Sequence, residues 1–451
     1  MSLLGVVYAI RQDNSGSTCG YCSPPGQRSA QASSFHDAHL VASFLKCEGY
    51  QVMIDRGWRR SGTYCYKPDM KRTCCPQYTI KLDALKFRPS ASQRKLLNRW
   101  NRFVLHGDTS GDAQSEGHKQ GAKPQHAKKC APEYSLVEST HASEKCVLGG
   151  QGRAHTFEVT LEPSSYTDEK YQLFEAYQTS IHKDRSSPYG FTRFLVQSPL
   201  RTNPIPYSST PPEHLPRVYG SYHQLYRLDG KLIAVAVLDI LPSCVSSVYF
   251  MYDPAFEKHS LGKISALREI SLAKEIHEAG ADGHKYLYLG YYVHTCQKMR
   301  YKGEYSPSYL LDPEEYTWHP LQECKKELDK AHYACFAHPE HSSQTPTLQR
   351  GQRRRSWRNL FSRGLSATIP EVPPAVFESL QIIVNQDDEE PRISPFSVRL
   401  LHSHHLRRPN SSRKSQDRQW SNEVGVRETL SALVHSLGFD LARRLVYLIQ
   451  E

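Results

Sequence analysis

Four cysteines near the N-terminus have the residue type and the spacing of metal ligands. Cys19 and Cys22 stand in the motif Cys-Gly-Tyr-Cys, and Cys74 and Cys75 are adjacent further along the chain. A thiolate pair separated by two residues can bind one ion, and a second pair can complete a four-sulfur site. Zinc and an iron–sulfur cluster both accept four thiolates, so the sequence leaves the metal open. Because neighbouring side chains on a strand face opposite ways, Cys74 and Cys75 can bind one ion only if the chain bends at Cys74.

The two cysteine pairs enclose a basic stretch that also contains aromatic residues. Basic side chains pair with phosphates, and an aromatic ring can stack on an unpaired base, so the stretch predicts binding to a phosphate-bearing partner such as a nucleic acid. The alternative is a core Trp58 surrounded by solvated arginines. Cys47 and Cys65 lie between the pairs and are alternative metal ligands. The candidate nucleic-acid-binding residues are Arg56, Trp58, Arg59, Arg60, Lys67, Lys71 and Arg72.

The composition indicates a basic chain with reduced thiols. The 451 residues carry a net charge of +11, which favours a polyanionic partner, either nucleic acid or an anionic membrane face. A basic chain that is merely solvated is the alternative. The sequence has no apolar run of membrane-spanning length, and residues 1–10 lack the basic start of a signal peptide, so no membrane association is expected. Twelve cysteines without a secretory signal indicate a cytoplasmic or nuclear protein, or one found in both compartments.

Shifts in composition divide the chain into six predicted regions. Residues 107–154 are polar and poor in large apolar groups, so they cannot bury enough surface to offset their ordering entropy. The same argument applies to the Ser-, Arg-, His- and Pro-rich stretch that ends near Asn422. The predicted regions are an N-terminal extension (1–18), a metal-binding domain (19–106), a disordered linker (107–154), a second domain (155–338), a basic low-complexity region (339–422) and amphipathic C-terminal helices (423–451).

Periodicity predicts a mixture of strands and helices in both domains. A helix over 92–103 follows the capping residue Ser90, and Asp229-Gly230 marks a hairpin turn before a nearly all-apolar run. That run predicts a buried central strand. The fold class is therefore α+β, or mixed α/β. The other predicted elements are strands at 78–82, 156–161, 245–252 and 285–293 and helices at 168–182 and 261–278.

Several longer motifs resemble the eukaryotic arginyl-tRNA–protein transferase family. The resemblance covers approximately residues 19–103 and 155–320 of this chain. Residues 19–22, 54–62, 66–68 and 73–80 are similar to the N-terminal domain of that family. Residues 157–163, 171–174, 239–242, 244–249 and 299–303 look like its C-terminal domain.

The resemblance implies an enzyme that takes arginine from arginyl-tRNA and joins it to the α-amino group of another protein. The acceptor proteins begin with Asp or Glu, and parts of the family also accept oxidised Cys. The product is marked for ubiquitin-dependent degradation. The implied fold is a small N-terminal domain, stapled by a metal at the four cysteines, and a C-terminal domain of the GNAT (acetyltransferase-like) type. In that family the nucleic acid is a tRNA, so the candidate nucleic-acid-binding residues are expected to bind the acceptor end of a tRNA. A monomer is expected, with arginyl-tRNA and proteins with acidic N-termini as partners.

An acetyltransferase-type core holds its acyl group between two splayed central strands. On that expectation the catalytic candidates are Asp239, His223 and Tyr252, which could hold an ammonium or donate to an oxyanion. The candidates for substrate binding are Ser246, Arg268, Lys298 and Lys302. Residues 260–264 contain one glycine where acetyltransferases cradle a pyrophosphate, so coenzyme A is not expected as a cofactor. Two other functions stay open: a metal- or redox-sensing tRNA-binding adaptor without transferase activity, and an acetyl-coenzyme A-dependent N-acetyltransferase.

Overall fold

The computed structural model describes residues 2–10, 16–22, 24, 27–108, 134–144, 153–346, 372, 376, 379–385 and 428–450. Most of the predicted low-complexity region, and residues 109–133 and 145–152 of the predicted linker, lie outside these residues. The described residues form mixed α/β structure, as the periodicity predicts.

The strands and helices in the described residues are as follows. The strands are β1 (Gly5–Tyr8), β2 (Ser17–Thr18), β3 (Ala32–Ser34), β4 (His36–Lys46), β5 (Arg59–Ser61), β6 (Tyr64–Pro68), β7 (Tyr78–Asp83), β8 (Phe157–Pro163), β9 (Leu200–Arg201), β10 (Asn203–Pro204), β11 (Val218–Leu228), β12 (Lys231–Leu241), β13 (Cys244–Tyr252), β14 (Tyr286–Tyr292), β15 (Ser308–Leu311), β16 (Trp318–Pro320), β17 (Gln381–Asn385) and β18 (Leu445–Gln450). The α-helices are α1 (Cys47–Ile54), α2 (Ala91–His106), α3 (Leu136–His141), α4 (Asp168–Tyr177), α5 (Pro188–Phe191), α6 (Leu261–Glu278), α7 (Gln297–Arg300), α8 (Leu321–Leu328), α9 (428–437) and α10 (Phe439–Ala442). Short π-helical turns cover Gln178–His182 and Thr192–Val196, and 3-10 turns cover Pro254–His259, Tyr301–Glu304 and Pro339–His341.

The larger sheet has the strand order β10-β11-β12-β13-β14-β7-β15-β16, and β8 also pairs with β11. Its centre is the predicted hairpin, in which Asp229 and Gly230 both adopt positive φ angles between β11 and β12. Two such residues form the turn that matches the twist of a hairpin. Every residue of β12 after Lys231 is buried, which confirms the predicted central strand.

Strand β7 joins the two predicted domains into one sheet. It comes from the N-terminal part of the chain, yet it lies between β14 and β15 and pairs antiparallel with both. All six of its residues are buried. The larger sheet therefore needs residues from both predicted domains, so the two share a core.

The smaller sheet has the order β17-β18-β1-β4-β6-β5, with β9 added alongside β4. Part of the predicted N-terminal extension is a strand of this sheet, because β1 pairs with both β4 and β18. The prediction of helices to the C-terminus is correct for α9 and α10, which meet at Gly438, and wrong for β18. β18 is rich in aliphatic and aromatic residues, and its pairing with β1 and β17 outweighs the helical pattern.

Helix α2 begins as its sequence predicts, and a second helix interrupts the predicted linker. Ser90 and Gln93 form a reciprocal capping box at the start of α2. The prediction of disorder over 107–154 is wrong for residues 134–144, which include α3. Thr140 of α3 donates to Ser271 of α6 at 3.0 Å, and Asn101 of α2 donates to the carbonyl of Ser139. These tertiary hydrogen bonds order a segment that has few apolar residues of its own.

Candidate active site and thiol cluster

The structure brings the four predicted metal-binding cysteines together. The Sγ atoms of Cys19, Cys22, Cys74 and Cys75 all lie within 4.8 Å of one another, and those of Cys22 and Cys74 are 3.7 Å apart. The chain makes a bend over residues 73–75, as two adjacent ligands require. The bend is held to the segment before β4, because the Cys74 amide donates to the carbonyl of Ser33.

The surroundings of Cys19, Cys74 and Cys75 shift the pKa values of their thiols. Burial raises the pKa of Cys75 and raises that of Cys74 to about 11. Burial opposes ionisation of Cys19 as well, but backbone N–H groups of Tyr21 and Cys22 donate to its sulfur and leave its pKa lowered. A cation would replace the remaining protons, since thiolates are the species that bind metal. A metal ion bound by the four sulfur atoms would link the N-terminal segment to β7. Its positive charge would offset the negative charge of the thiolates.

The alternative ligands Cys47 and Cys65 do not join this group. Cys47 begins α1 and its thiol lies 3.3 Å from the carbonyl oxygen of Arg201. Cys65 is buried in β6. Burial raises the pKa of each thiol to about 12, which disfavours the thiolate. Among the described residues, the four-sulfur group contains only the two predicted pairs.

Strands β13 and β14 stop pairing part-way along their length, and we call the region where they separate the cleft. They pair in parallel from Cys244 to Ser246 on β13, opposite Tyr286 to Tyr288 on β14, and the ladder ends there although both strands continue. Gly290 on β14 has φ of +69°, and the register of β14 against β7 shifts around it. A Cβ atom at Gly290 would lie 3.8 Å from Lys302 Nζ and 4.0 Å from the Ser247 carbonyl, so these groups surround the point where the strands separate.

A buried carboxyl group and a buried amine lie beside this cleft. Glu269 of α6 accepts a 2.8 Å hydrogen bond from Ser265, and its second carboxyl oxygen has no partner among the described residues. Burial raises the pKa of Glu269 to about 7, against the opposing effects of the Ser265 and Ser247 hydroxyls and the charge of Lys302. Burial and the neighbouring Arg59 lower the pKa of Lys302 to about 7. Two such groups can exchange protons near neutral pH.

The sequence reasoning did not select Glu269. A signal was present: Glu269 lies between Leu267 and Ile270 on a helix whose residues 264–273 are all buried. Charged residues are rarely found fully buried unless they are paired or functional. Arg59 was selected as a tRNA contact, but its guanidinium donates to the Gly290 carbonyl at 3.1 Å and lies at the cleft.

The three predicted catalytic residues lie elsewhere. Asp239 is fully buried and forms a two-point ion pair with Arg60, at 2.9 Å from Nε and 2.5 Å from Nη2. His223 is buried in β11 with Nε2 3.0 Å from the Leu195 carbonyl, and burial lowers its pKa to about 4. Tyr252 ends β13 and packs against other aromatic rings. Because its carboxylate is already paired, Asp239 has no free oxygen pair for a substrate cation, which contradicts its predicted role.

The predicted substrate-binding residues divide into two groups. Ser246 is buried at the last paired position of β13, and Lys302 on the turn that follows β14 lies beside Gly290, so both border the cleft; Lys298 is exposed on the same turn. Arg268 is buried and pairs with Glu144, and it also donates to the Thr140 carbonyl. Its charge is therefore committed to holding α3 on α6, and the prediction that it binds substrate is contradicted.

Most of the predicted tRNA-binding residues are engaged within the protein. Trp58 is completely buried and donates from Nε1 to the Ser436 carbonyl at 3.0 Å, so its ring has no face for a base. Arg60 is buried in its pair with Asp239. The remaining cations have these partners: Arg56 and Lys67 pack on the Tyr316 ring, Lys71 pairs with Glu314, and Arg72 pairs with Asp69. The contacts of Trp58 and Arg60 contradict their predicted role in tRNA binding. The alternative prediction, that Trp58 belongs to the core, is correct.

A different surface carries exposed positive charge. Residues 84–107 contain six Lys or Arg residues and no Asp or Glu. Helix α2 buries Leu97, Trp100 and Val104 and exposes four of the six cations to solvent. We call these four the α2 basic face: Arg94, Lys95, Arg99 and Arg102.

The region where β13 and β14 separate, with the buried carboxyl group of Glu269 and the buried amine of Lys302 beside it, is the candidate active site. Models of the family "Arginine-tRNA-protein transferase" match residues 17–95 with its N terminus and 169–312 with its C terminus. Arginyl-tRNA–protein transferase 1 from Drosophila melanogaster is 35% identical over 431 residues, covering 74% of this chain and 86% of that protein. The chain belongs to the arginyl-tRNA–protein transferase family.

Two further relatives extend the likeness to plants and bacteria. Arginyl-tRNA–protein transferase 1 from Arabidopsis thaliana is 31% identical, covering 71% of this chain and 74% of that protein. Aspartate/glutamate leucyltransferase from Pseudomonas fluorescens is 27% identical over 268 residues, covering 58% of this chain and 79% of that protein. In the described residues no helix combines the length and the apolar character needed to span a bilayer.

Proposed function

We propose that this chain transfers arginine from arginyl-tRNA to the α-amino group of proteins that begin with Asp or Glu. Membership of the arginyl-tRNA–protein transferase family is the observation that supports this reaction. The acceptor class is supported by two basic side chains at the cleft, Arg59 and Lys302, and by the bacterial relative whose name includes aspartate and glutamate. An N-terminal oxidised Cys carries a similar acidic group and fits the same cations. Products with N-terminal arginine enter ubiquitin-dependent degradation, in the cytoplasm, the nucleus or both.

The reaction is the aminolysis of an ester. The acceptor's α-ammonium group first loses a proton, and its nitrogen then attacks the ester carbon of the arginyl group. A carbon–nitrogen bond forms, the carbon–oxygen bond to the tRNA ribose breaks, and the second proton lost by the attacking nitrogen passes to the leaving oxygen. We assign the first proton to the unpartnered oxygen of Glu269, because burial brings the pKa of that carboxyl to about 7. A base matched to neutral pH contributes about 10²–10⁴-fold to the rate.

Alignment of the two substrates supplies the rest of the acceleration. Beyond Ser246 and Tyr288 the facing edges of β13 and β14 are no longer paired with each other. The Gly290 and Tyr291 carbonyls of β14 already accept hydrogen bonds from Arg59 and Lys302. We therefore assign the extended acceptor chain and the oxyanion to the backbone of β13 beyond Ser246, as in a GNAT-type fold. Holding reactants in line is worth effective concentrations on the order of 10⁵ M or more.

We propose that the thiol cluster binds one metal ion, of the zinc type, in preference to an iron–sulfur cluster. Tetrahedral coordination with bonds of about 2.3 Å places neighbouring sulfur atoms about 3.8 Å apart. The 3.7 Å separation of the Cys22 and Cys74 sulfur atoms, and the 4.8 Å limit on all pairs, fit a single ion. A cluster of several irons interposes iron and sulfide between its thiolates and needs wider spacing.

The metal site also supports the turn that carries Lys298 and Lys302. Cys19 and Cys75 pack with Val293 and Cys296, and Met299 packs against the same group. These last three residues surround the start of α7, one turn before Lys302. We therefore assign the bound ion a positioning role: it holds the N-terminal segment as the wall on which the turn after β14 rests.

The α2 basic face is the proposed docking surface for the tRNA backbone. Four exposed cations on one helix, without a carboxylate on the same helix, match a row of phosphates. Reversing two charges with Arg99→Glu and Arg102→Glu should weaken tRNA binding and reduce the slope of log affinity against log salt by about 0.7–0.9 for each lost phosphate contact. Lys326→Glu with Lys330→Glu, two surface cations near α8, is the matched control. Equal losses in the two variants would refute this docking surface.

The reaction itself is tested with radiolabelled arginyl-tRNA and peptides that begin with Asp, Glu or Gly. Transfer to the Asp and Glu peptides but not to the Gly peptide is expected. Binding of tRNA without transfer would favour a tRNA-binding adaptor, and labelling only from acetyl-coenzyme A would favour an acetyltransferase. Either result would overturn the proposal.

A further inference from the structure

Three metal-binding side chains from distant parts of the chain meet outside the cleft and the thiol cluster. His141 ends α3, His214 lies in the loop before β11, and Glu275 lies in the last part of α6. His214 Nε2 is 2.7 Å from Glu275 Oε2, and His141 Nε2 is 3.1 Å from the same oxygen. One possible ligand atom from each of the three residues lies within 4.8 Å of the other two.

Neighbouring groups fix the orientation of two of these side chains. The other ring nitrogen of His141, Nδ1, is 3.0 Å from a carboxyl oxygen of Glu144. Glu144 is itself held by Arg268 in a buried ion pair. Glu275 Oε1 accepts a 2.8 Å hydrogen bond from Ser271. A carboxylate behind a histidine ring and a hydroxyl on a carboxylate are the outer contacts that orient metal ligands in known sites.

We propose that His141, His214 and Glu275 form a second metal site, for a divalent ion of the zinc type. Two imidazoles and one carboxylate suit zinc and its neighbours among the transition metals, whereas calcium and magnesium prefer oxygen ligands alone. With bonds of about 2.0–2.1 Å, tetrahedral geometry separates neighbouring ligand atoms by about 3.3 Å. The observed separation of 3.1 Å for His141 is close to that value, and the 2.7 Å separation for His214, on a loop, is about 0.6 Å shorter.

The site is partly open to solvent. His214 is 49% exposed, while Glu275 is 10% exposed, so the ion would lie at the rim of the fold with one face toward water. It would join α3, the loop before β11 and α6. This proposal is independent of the transferase reaction, because none of the three residues borders the cleft between β13 and β14.

Zinc stoichiometry of the full-length protein tests the proposal. After reconstitution with zinc and gel filtration, the unaltered chain should retain two zinc ions, measured by mass spectrometry of the metal. His214→Ala should retain one, and the exposed position of its side chain means that the fold should tolerate the change. Glu278→Gln, an exposed carboxylate on the same helix, is the matched control and should retain two.

The absorption spectrum of bound Co²⁺ distinguishes the thiol cluster from the site formed by His141, His214 and Glu275. Cys74→Ser with Cys75→Ser removes two thiolate ligands, and this variant should still bind one Co²⁺ with visible bands but without the intense sulfur-to-cobalt absorption in the near ultraviolet. Adding His214→Ala to it should abolish the visible bands. The proposal is overturned if His214→Ala keeps the zinc content of the unaltered chain, or if the visible bands persist in the combined variant.

Discussion

The pair of Arg60 and Asp239 gives the sharpest prediction, because its geometry assigns Asp239 a structural role in place of the predicted catalytic one. The guanidinium side chain is 3% exposed and the carboxylate 0%, and two hydrogen bonds of 2.9 and 2.5 Å join them. Ser221 completes the group by donating to Asp239 at 2.7 Å. Burial disfavours the charged guanidinium, but Asp239 outweighs that effect and raises the pKa of Arg60. The pair connects β5 of the smaller sheet with β12 of the larger one.

Removing one partner leaves a buried charge without compensation. Asp239→Asn keeps the shape of the side chain and loses its charge, so we expect a loss of about 3–5 kcal/mol in the free energy of unfolding. At about 2 °C for each kcal/mol in a chain of this size, the melting temperature should fall by about 6–10 °C. Asp282→Asn, at an exposed turn, is the control and should leave the melting temperature unchanged.

A double variant separates the structural role from a chemical one. Arg60→Met with Asp239→Leu removes both charges, so it should recover most of the lost stability and most of the transfer activity. Thermal unfolding and arginyl transfer are measured on the same preparations. If Asp239→Asn melts like the unaltered chain and has lost only kcat, Asp239 acts in the chemistry and the structural reasoning is refuted.

Three further predictions concern proton transfer, the metal and the core. Glu269→Gln should lower kcat by about 10²–10⁴-fold and remove a rise in rate near pH 7, and an unchanged pH profile would contradict the assignment. Burial raises the pKa of this carboxyl from 4.5 to about 7, so the folded state holds more protons between these values and loses stability as pH rises through them; the Gln variant should lack that slope in its melting temperature. Cys74→Ser with Cys75→Ser should strip the metal from the thiol cluster and speed proteolysis of residues 16–35, whereas resistance equal to the unaltered chain would argue against a staple. Trp58→Ala should cost about 3–5 kcal/mol of stability, measured by denaturant unfolding, while folded molecules keep their tRNA affinity.

Local signals in the sequence were sufficient for several elements. Ser90 and Gln93 mark the start of α2, and Asp229-Gly230 marks the two-residue turn between β11 and β12. The apolar run of β12 predicts its complete burial. Each of these signals acts within a few residues, so neighbouring side chains and backbone geometry decide the outcome.

Sequence reasoning failed where a residue's role depends on a distant partner. Arg60 and Asp239 are 179 positions apart, and nothing near either residue reveals the pairing. The segment 134–144 looks too polar to fold, yet Arg268 and Ser271 of α6 order it. The sequence does not show whether a basic side chain faces solvent or a buried carboxylate, so charge alone could not locate the tRNA-binding surface.

The sequence by itself determined the family motifs, the four thiols that can share a metal, and the alternation of strands and helices. Only the tertiary structure decided which charges are free to act. Burial raises the free energy of an unpaired charge, so Arg60, Asp239 and Arg268 are each matched with a partner, while Glu269 keeps one oxygen unpartnered at the cleft. That assignment follows from distances across the sheets, which a linear pattern of residues does not contain.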